Sequence, residues 1–321
     1  MRLVETEVSD ATLHAPAHAG ARGYRRAALL ALGSCVRRTT FVAIAIVGAA
    51  PSFSQTPPPA PQPQIARQVK PGLFMITGAG GNVTAFIGDH GVMLVDDKLA
   101  GDANFDNLVA AVRGVSTLPV LAVFNTHYHP DHIGNNDRFL AAGVMVIGVD
   151  GIDRLLASAK NGTKTPSILF TKDFSLVLMR GRIDAHHYRP GHTSADAIIH
   201  FPTAKTVSTG DLVVAANPTI DYAGGATIAG WIATLDEMLK LDFDTAIPGH
   251  GDAPLSRADV ERFRAKLATF LDRARTAIRG GATKADLIAR IRTEDLGWSW
   301  TATSWPAVRV DGLWAEAGGP K

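Results

Sequence analysis

Seven consecutive residues, 126–132, constrain this chain more than any other stretch, because they read Thr-His-Tyr-His-Pro-Asp-His. They directly follow residues 120–124, an apolar run with the pattern of a buried strand. A turn at the end of a strand therefore carries three imidazoles and one carboxylate, which are ordinary ligands for zinc or iron. A solvated histidine-rich turn is the simpler alternative, but this density of ligand side chains directly after a buried strand argues against it.

The spacing within this turn divides the four side chains between two centres. Alternate side chains of an extended segment share one face, which places His127 and His129 together. Pro130 then kinks the chain, so that Asp131 and His132 turn aside and can serve a second centre.

Three more candidate ligands lie farther along the chain in one shared context, the end of a strand followed by a glycine-flanked turn. They are His192, Asp211 and His250. Glycine beside a ligand lets the backbone approach a metal ion closely. Each of these residues is a weak signal alone, because a single histidine in a turn is usually only exposed. Thr126 and Thr193 are expected to form hydrogen bonds behind the ligands rather than to react.

Together these segments resemble the metallo-β-lactamase superfamily, whose ligand motif has the form His-x-His-x-Asp-His. The resemblance covers roughly residues 70–255 and includes the sequences Pro-Gly-His-Thr, Gly-Asp and Pro-Gly-His-Gly around the later candidates. It implies an α/β fold, a four-layer αββα sandwich of two mixed β-sheets with helices on the outer faces. The residue pattern alone indicates only a mixed α/β protein.

The resemblance also assigns the ligands by position. One metal ion would take His127, His129 and His192, the other would take Asp131, His132 and His250, and Asp211 would bridge both. The implied cofactors are two divalent ions, zinc first, with iron or manganese as alternatives, and a hydroxide between them would be the nucleophile. Asp131 would orient that nucleophile and pass its proton to the leaving group. Asp96, which ends a predicted strand, would order the ligand loop by hydrogen bonding.

The resemblance implies a hydrolase that cleaves a carbonyl substrate, namely a lactam, lactone, ester or thioester. β-Lactamases of the superfamily usually have Cys or Ser where Asp211 stands, which disfavours strong lactamase activity. The C-terminal tail has no basic glutathione site of the kind that glyoxalase II needs. Two alternatives stay open: a mononuclear iron dioxygenase of the same superfamily, and a non-catalytic periplasmic metal-binding protein. A flavodiiron redox protein is disfavoured because it normally has Glu at the position of His129.

Residues 1–55 are expected to lie outside the fold, as an N-terminal extension with an export signal. An arginine pair precedes the apolar run 41–50, which is too short for a membrane span but suits the core of a signal peptide. The signal would cover about residues 36–54 and send the protein to the periplasm, with the twin-arginine route open. A lipoprotein box at Cys35 is disfavoured, because the apolar run before it is short.

A proline-rich linker, residues 56–66, would follow, and one hydrolase domain with C-terminal helices would occupy residues 67–321. With 46% hydrophobic residues the chain can bury a substantial core, and a net charge of +2 gives no field for nucleic acid. The expected partner is a small-molecule substrate, with no nucleic acid and no stable membrane span in the mature form. The single cysteine, Cys35, excludes a disulfide framework.

The remaining histidines are expected to stand outside the ligand set. A structural or rim role is expected for His186 and His187, which flank the site in sequence. His90 and His200 are expected at the surface, at turns or strand ends. The aromatic tail from Trp298 onward is expected to be irregular and to pack on the domain.

Overall fold

The protein is described by a computed structural model over residues 63–160, 162–178, 181–300 and 307–320. The expected export signal, Cys35 and most of the proline-rich linker lie outside the described residues. A first strand, β1 (Ile65–Lys70), begins within the last residues assigned to that linker. Within the described residues, no helix is long and apolar enough to cross a membrane.

The first sheet has seven strands among the described residues, and they lie side by side in chain order. After β1 they are β2 (Leu73–Thr77), β3 (Val83–Ile87), β4 (Val92–Val95), β5 (Val120–Phe124), β6 (Met145–Val149) and β7 (Ile168–Phe170). β1 to β4 form an antiparallel meander. β4 to β7 pair parallel, because at least one helix separates each strand from the next and returns the chain to the same edge.

The second sheet has six strands among the described residues, in the spatial order β13-β12-β11-β10-β9-β8. They are β8 (Asp173–Leu178), β9 (Gly181–His186), β10 (Ile198–Phe201), β11 (Thr206–Ser208), β12 (Thr245–Ile247) and β13 (Leu255–Ser256). β11 and β12 pair parallel and the other neighbours pair antiparallel. Both sheets are therefore mixed, as expected.

Helices follow the strands of both sheets. They are α1 (Asp102–Arg113), α2 (Pro130–Ile133), α3 (Asn136–Ala141), α4 (Ile152–Ala159), α5 (Ile228–Met238), α6 (Arg257–Arg279), α7 (Leu287–Arg290) and α8 (Ala307–Glu316). The longest, α6, begins at a capping box in which Ser256 and Asp259 satisfy each other's backbone N–H groups. The chain then ends this helix at Gly280.

Three apolar clusters confirm the expected four-layer sandwich. The inner cluster packs Phe124 of the first sheet against Ile199 of the second. A second cluster joins the other face of the first sheet to α1 through Leu108. A third joins the other face of the second sheet to α5 and α6 through Trp231 and Leu267. Each sheet thus has a helix-covered outer face and an inner face that packs on the other sheet.

The C-terminal tail packs on the third cluster, as expected, but it is not irregular throughout, because α8 forms there. Trp298 and Trp314 are buried. Gly312 allows α8 to approach closely, since a Cβ at that position would lie 2.1 Å from the ring of Tyr222. Glu316, at the end of α8, accepts hydrogen bonds from the Tyr222 hydroxyl and from the first backbone N–H groups of α5.

Loops from the two sheets meet at one edge of the sandwich. The Ala197 N–H donates to the Thr126 carbonyl at 2.7 Å. The Asn82 N–H donates to the Gly249 carbonyl at 2.7 Å, and its side chain donates to the carbonyls of Pro248 and Gly251. The first of these hydrogen bonds holds the turn after β5 against the loop after β9, and the others hold the turn before β3 against the turn after β12.

Candidate metal centre

The seven predicted ligands converge at this edge in two groups. The first group contains His127, His129, His192 and Asp211, and the second contains Asp131, His132 and His250. Within each group, one ligand atom from each residue lies within 4.8 Å of the others. The structure therefore brings together residues that lie as far as 123 positions apart in the chain, from His127 to His250.

The first group is built from three imidazoles that meet at their ring edges. His129 Nδ1 lies 3.1 Å from His127 Nε2 and 3.0 Å from His192 Nε2. Two nitrogen ligands on tetrahedral zinc are about 3.3 Å apart, given zinc–nitrogen bonds of about 2.0–2.1 Å. The distances from His129 Nδ1 to the other two nitrogens are thus close to those that one zinc ion would impose.

The second group pairs two imidazoles with a carboxylate. His250 Nε2 lies 3.2 Å from Asp131 Oδ2 and 3.4 Å from His132 Nε2. His132 Nε2 lies 3.7 Å from the same carboxylate oxygen. Two nitrogens and one oxygen at these distances suit a second divalent cation.

Asp211 lies between the two groups and faces both. Its Oδ1 is 3.3 Å from His132 Nε2 and 3.4 Å from His250 Nε2, while its Oδ2 is 3.6 Å from His192 Nε2. Oδ1 is buried, and no donor among the described residues makes a hydrogen bond to it. Buried carboxylate oxygens are rarely left without a partner. Divalent cations between these side chains would satisfy that oxygen, so the residues fit a pair of metal ions.

Glycines allow the loops to approach this closely. A Cβ at Gly81 would lie 2.2 Å from the His132 ring, and a Cβ at Gly249 would lie 2.1 Å from Asp211 Oδ1. Gly210, next to Asp211, has a φ of +48° and backs directly on Thr126. A side chain at any of these positions would displace a ligand or its support.

Four of the five imidazoles are held at the nitrogen that faces away from the centre. The contacts are His127 Nδ1 to Thr126 Oγ1 at 3.0 Å, His132 Nδ1 to Asp96 Oδ2 at 2.7 Å, His192 Nδ1 to the Thr219 carbonyl at 2.7 Å, and His129 Nε2 to Asp221 Oδ2 at 3.1 Å. Such partners fix both the ring orientation and the tautomer, which leaves the inner nitrogen free for a metal ion.

Asp96, which was predicted to order the ligand loop, contacts both Thr126 and His132 of that loop. Its Oδ1 accepts the Thr126 N–H at 2.8 Å, and its Oδ2 accepts the Thr126 hydroxyl at 2.7 Å as well as the His132 Nδ1–H. Thr126 in turn contacts His127. Thr193 is placed differently, because its hydroxyl donates to the buried Asp196 at 2.7 Å rather than to a ligand.

Asp221 is a site residue that the sequence did not reveal. Its Oδ2 accepts the Tyr128 hydroxyl at 2.5 Å and contacts His129 Nε2, while its Oδ1 accepts the Gly224 N–H at 3.0 Å. Burial opposes its ionisation, but these hydrogen bonds hold the pKa of Asp221 below its usual range. An aspartate before two glycines signals a turn in the sequence, but its partner 92 residues away cannot be found that way.

Lys98 is a second residue that the sequence did not reveal. Its side chain is fully buried, and its Nζ donates to the carbonyls of Ile76 and Gly81, each at 2.8 Å. Burial lowers the pKa of Lys98 to about 7, although the nearby carboxylates of Asp96 and Asp131 oppose this. Lys98 thus anchors the glycine turn before β3, which covers the His132 ring.

The pKa values of the ligands differ between the two groups. Burial lowers the pKa of His192 to about 4 and holds the pKa of His127 well below its usual range. The carboxylates of Asp131 and Asp211 raise the pKa of His250 to about 9. Burial opposes protonation of His132, but Asp211 and Asp96 raise its pKa above the usual range. Protonation of His132 and His250 would therefore compete with a cation in the second group.

The other histidines lie outside this centre. His90 is exposed, as expected, and His187 is half-buried, with its Nδ1 at 2.8 Å from the Asp196 carbonyl. The expectation that His200 is a surface residue is wrong. It is 7% exposed, because it lies on a central strand and points to the outer face of the second sheet. His186 points to the same face and is half-buried.

Sequence and structure similarities relate this chain to known proteins. Residues 76–250, more than half of the chain, match the sequence model of a family described as the metallo-beta-lactamase superfamily. Hydroxyacylglutathione hydrolase of Brucella anthropi is 29% identical over 222 residues, which cover 64% of this chain and 74% of that protein. Metallo-beta-lactamase IND-1 of Chryseobacterium indologenes is 26% identical over 188 residues, which cover 56% of this chain and 76% of that protein.

Among solved structures, the sec-alkylsulfatase Pisa1 from Pseudomonas sp. superposes with a TM-score of 0.64 at 16% identity. The superposition covers 80% of this chain and 50% of that one, so this chain spans about half the length of that protein. At this identity the likeness shows a shared fold.

Proposed function

Because this chain belongs to the metallo-beta-lactamase superfamily, we propose that it is an exported hydrolase that holds two divalent metal ions and cleaves a carbonyl substrate. The observation that carries the proposal is the position of Asp211, whose two carboxylate oxygens face the two ligand groups. A carboxylate in that position is suited to bridging a pair of cations rather than to holding one.

The ligand sets of the two groups are the nitrogen and oxygen donors that zinc accepts, with iron and manganese as alternatives. When bound, such ions lower the pKa of water towards neutrality and polarise a carbonyl group. The chain's own residues have two tasks. Asp96, Thr126 and Asp221 hold the ligand side chains in position, and another residue accepts the proton of the attacking water and passes it on.

Asp131 is the residue proposed to accept and transfer that proton. Burial opposes its ionisation, but His250 and His132 beside it lower the pKa of Asp131 below the usual value. Its carboxylate is therefore ionised at neutral pH and can accept a proton from water. The side chain is 28% exposed, so it can also pass that proton to a leaving group on the open side of the site.

The substrate class proposed is a lactone, an ester or a cyclic amide. Relatives named hydroxyacylglutathione hydrolase and metallo-beta-lactamase support hydrolysis, and they differ in substrate. Asp211 stands where β-lactamases usually have Cys or Ser, which argues against strong lactamase activity. Export would remove the enzyme from cytosolic thioesters, which argues against a glutathione thioester.

A substrate panel tests the proposed activity. Protein loaded with zinc, manganese or iron would be assayed on lactam, lactone, ester, thioester and phosphodiester substrates, with oxygen uptake recorded in parallel. We expect hydrolysis of at least one carbonyl class, and loss of that activity in His129→Ala. Activity that survives His129→Ala, or oxygen uptake without hydrolysis, would contradict the proposal.

Export is proposed from the arginine pair and the apolar run 41–50. Expression of the full chain in a bacterium with a periplasm, followed by fractionation and N-terminal sequencing, tests it. We expect a periplasmic protein that begins after about residue 54. A full-length chain confined to the cytosol would contradict it.

A further inference from the structure

A separate set of ligand-type side chains lies on the outer face of the second sheet. Asp184 and His186 belong to β9, and His200 belongs to β10. One ligand atom from each residue lies within 4.8 Å of the others, the same limit that the two groups of the main centre meet. We propose that these three residues form a further cation site, distinct from the main centre, which binds a single zinc ion.

The sheet register places the three side chains together. Asp184 and His186 are two residues apart on one strand, so they point to the same face. His200 is the direct cross-strand partner of Asp184, and Ile198 is the partner of His186. Ile198 belongs to the outer apolar cluster, whereas Ile199 belongs to the inner one. The three ligand-type side chains therefore lie on the helix-covered face, on the opposite side of the sheet from the inner core.

Each of the two imidazoles has a hydrogen-bond partner on one of its two nitrogens. His186 Nδ1 lies 2.8 Å from Asp173 Oδ1, and His200 Nε2 lies 3.2 Å from the Asp242 carbonyl. Both partners are hydrogen-bond acceptors, so each ring carries its proton on the nitrogen that contacts them. The remaining lone pairs, on His186 Nε2 and His200 Nδ1, are left for a cation. With a cation bound, Asp173 and His186 would form the carboxylate–histidine–metal arrangement of protein zinc sites.

Asp184 supplies the negative charge. Its Oδ1 accepts hydrogen bonds from the Ser175 hydroxyl and from Arg182 Nε, each at 2.5 Å. Burial opposes ionisation of Asp184, but these contacts keep its pKa below the usual value, so it is a carboxylate at neutral pH. Both contacts are made to Oδ1, which leaves Oδ2 to a cation. The Arg182 side chain is 58% exposed, so solvent screens much of its charge.

The surroundings suit a buried ion with one open position. Asp184 and His200 are 6% and 7% exposed, whereas His186 is half-buried and admits water as a further ligand. Tyr188 stacks on His186, with ring centroids 5.7 Å apart and the planes 5° from parallel. Two nitrogens, one carboxylate oxygen and a water make a four-coordinate set that zinc accepts. Burial also lowers the pKa of His200, which favours the neutral ring that a metal ion needs.

A bound ion would link three neighbouring strands of the second sheet. β9 and β10 supply the ligands, and β8 supplies Asp173 behind His186. The loop that follows β9 carries His192 of the main centre. The site proposed here does not depend on the proposed hydrolase activity, because none of its three ligands belongs to the main centre.

The test is the number of zinc ions that each of three proteins binds. Wild type, His186→Ala and His90→Ala would be dialysed against buffered zinc at neutral pH and analysed for bound metal. His90 is the matched control, because it is an exposed histidine in a hairpin turn. We expect His186→Ala to bind one zinc ion fewer than wild type and His90→Ala to bind the same number. Equal binding by wild type and His186→Ala, or an equal loss in both variants, would overturn the site.

A second variant keeps the test decisive if His186→Ala does not fold. Asp173 lies on an edge strand, its side chain is 52% exposed, and its carboxylate contacts Nδ1 of His186. Asp173→Asn should therefore fold. Loss of such a supporting partner weakens metal affinity by about 10–100-fold, so we expect the Kd for one zinc ion to rise by that factor. An unchanged Kd in Asp173→Asn would count against the site. Because both readouts are differences from wild type, failure of the main centre would not imitate either result.

Discussion

Asp96→Asn should weaken metal binding without unfolding the protein. In the wild type, one carboxylate oxygen accepts both the Thr126 hydroxyl and the His132 Nδ1–H, and the other accepts the Thr126 N–H. Asparagine keeps the shape but has one acceptor oxygen and one NH₂ group. If that oxygen keeps the Thr126 N–H, the NH₂ group faces His132 Nδ1. The His132 proton must then move to Nε2, the nitrogen that faces Asp211.

The expected magnitude follows from that change of tautomer. Loss of the partner behind a ligand histidine raises the metal Kd by about 10–100-fold, which is about 1.4–2.8 kcal/mol. His132 contacts Asp96 directly, whereas His127 contacts it only through Thr126. The ion at the second ligand group should therefore be weakened more than the ion at the first.

Zinc titration against a chromophoric chelator at neutral pH measures both affinities. Asp102→Asn is the matched control, because its carboxylate is 89% exposed and pairs with Arg138 away from the centre. We expect the control to bind zinc as the wild type does. If Asp96→Asn binds both ions within twofold of wild type, the inferred role of Asp96 is wrong.

Three further predictions concern other parts of the fold. In Gly81→Ala the new Cβ would lie 2.2 Å from the His132 ring, so we expect the variant to lose one zinc ion and its kcat/KM to fall at least tenfold. Gly114→Ala, at the end of a helix, is the control. Equal zinc content in the two variants would refute the inferred role of Gly81. Trp231→Ala removes a fully buried side chain and should lower the free energy of unfolding in urea by about 3–5 kcal/mol; a change below about 1 kcal/mol would contradict the packing described. Burial lowers the pKa of Lys98 from 10.5 to about 7 in the folded state. Between pH 7 and pH 10.5 the unfolded state therefore binds more protons than the folded state. The free energy of unfolding should then rise with pH in this range, by at most about 1.4 kcal/mol per pH unit. Lys98→Met should remove that rise in the metal-free protein, and equal pH slopes in both proteins would refute the assignment.

The sequence predicted the parts of the fold that depend on local pattern. Strand β5, for example, follows from the apolar run at residues 120–124. The seven residues that converge at the candidate metal centre could also be found in the sequence, because each lies in a strand-end turn with glycine or several ligand-type side chains beside it. Those signals are local, so they can be read from the sequence without knowledge of tertiary contacts.

Other features depend on contacts that a sequence does not display. A lysine at this position gives no local sign that it is buried, and its burial is tolerable because its ammonium group donates to the carbonyls of Ile76 in β2 and Gly81 in the following turn. Helix α8 was missed because its packing depends on a glycine that fits against Tyr222. His200 was misplaced because a strand-end histidine was assumed to face water, whereas the sheet register sets it opposite Asp184.

The most direct test of the metal centre is an anomalous difference map from crystals of the zinc-loaded protein. We predict two peaks about 3.5–4 Å apart, one on each side of the Asp211 carboxylate, in contact with the two ligand groups. A single peak among the seven ligands, or two peaks that leave Asp211 without a metal contact, would contradict the account.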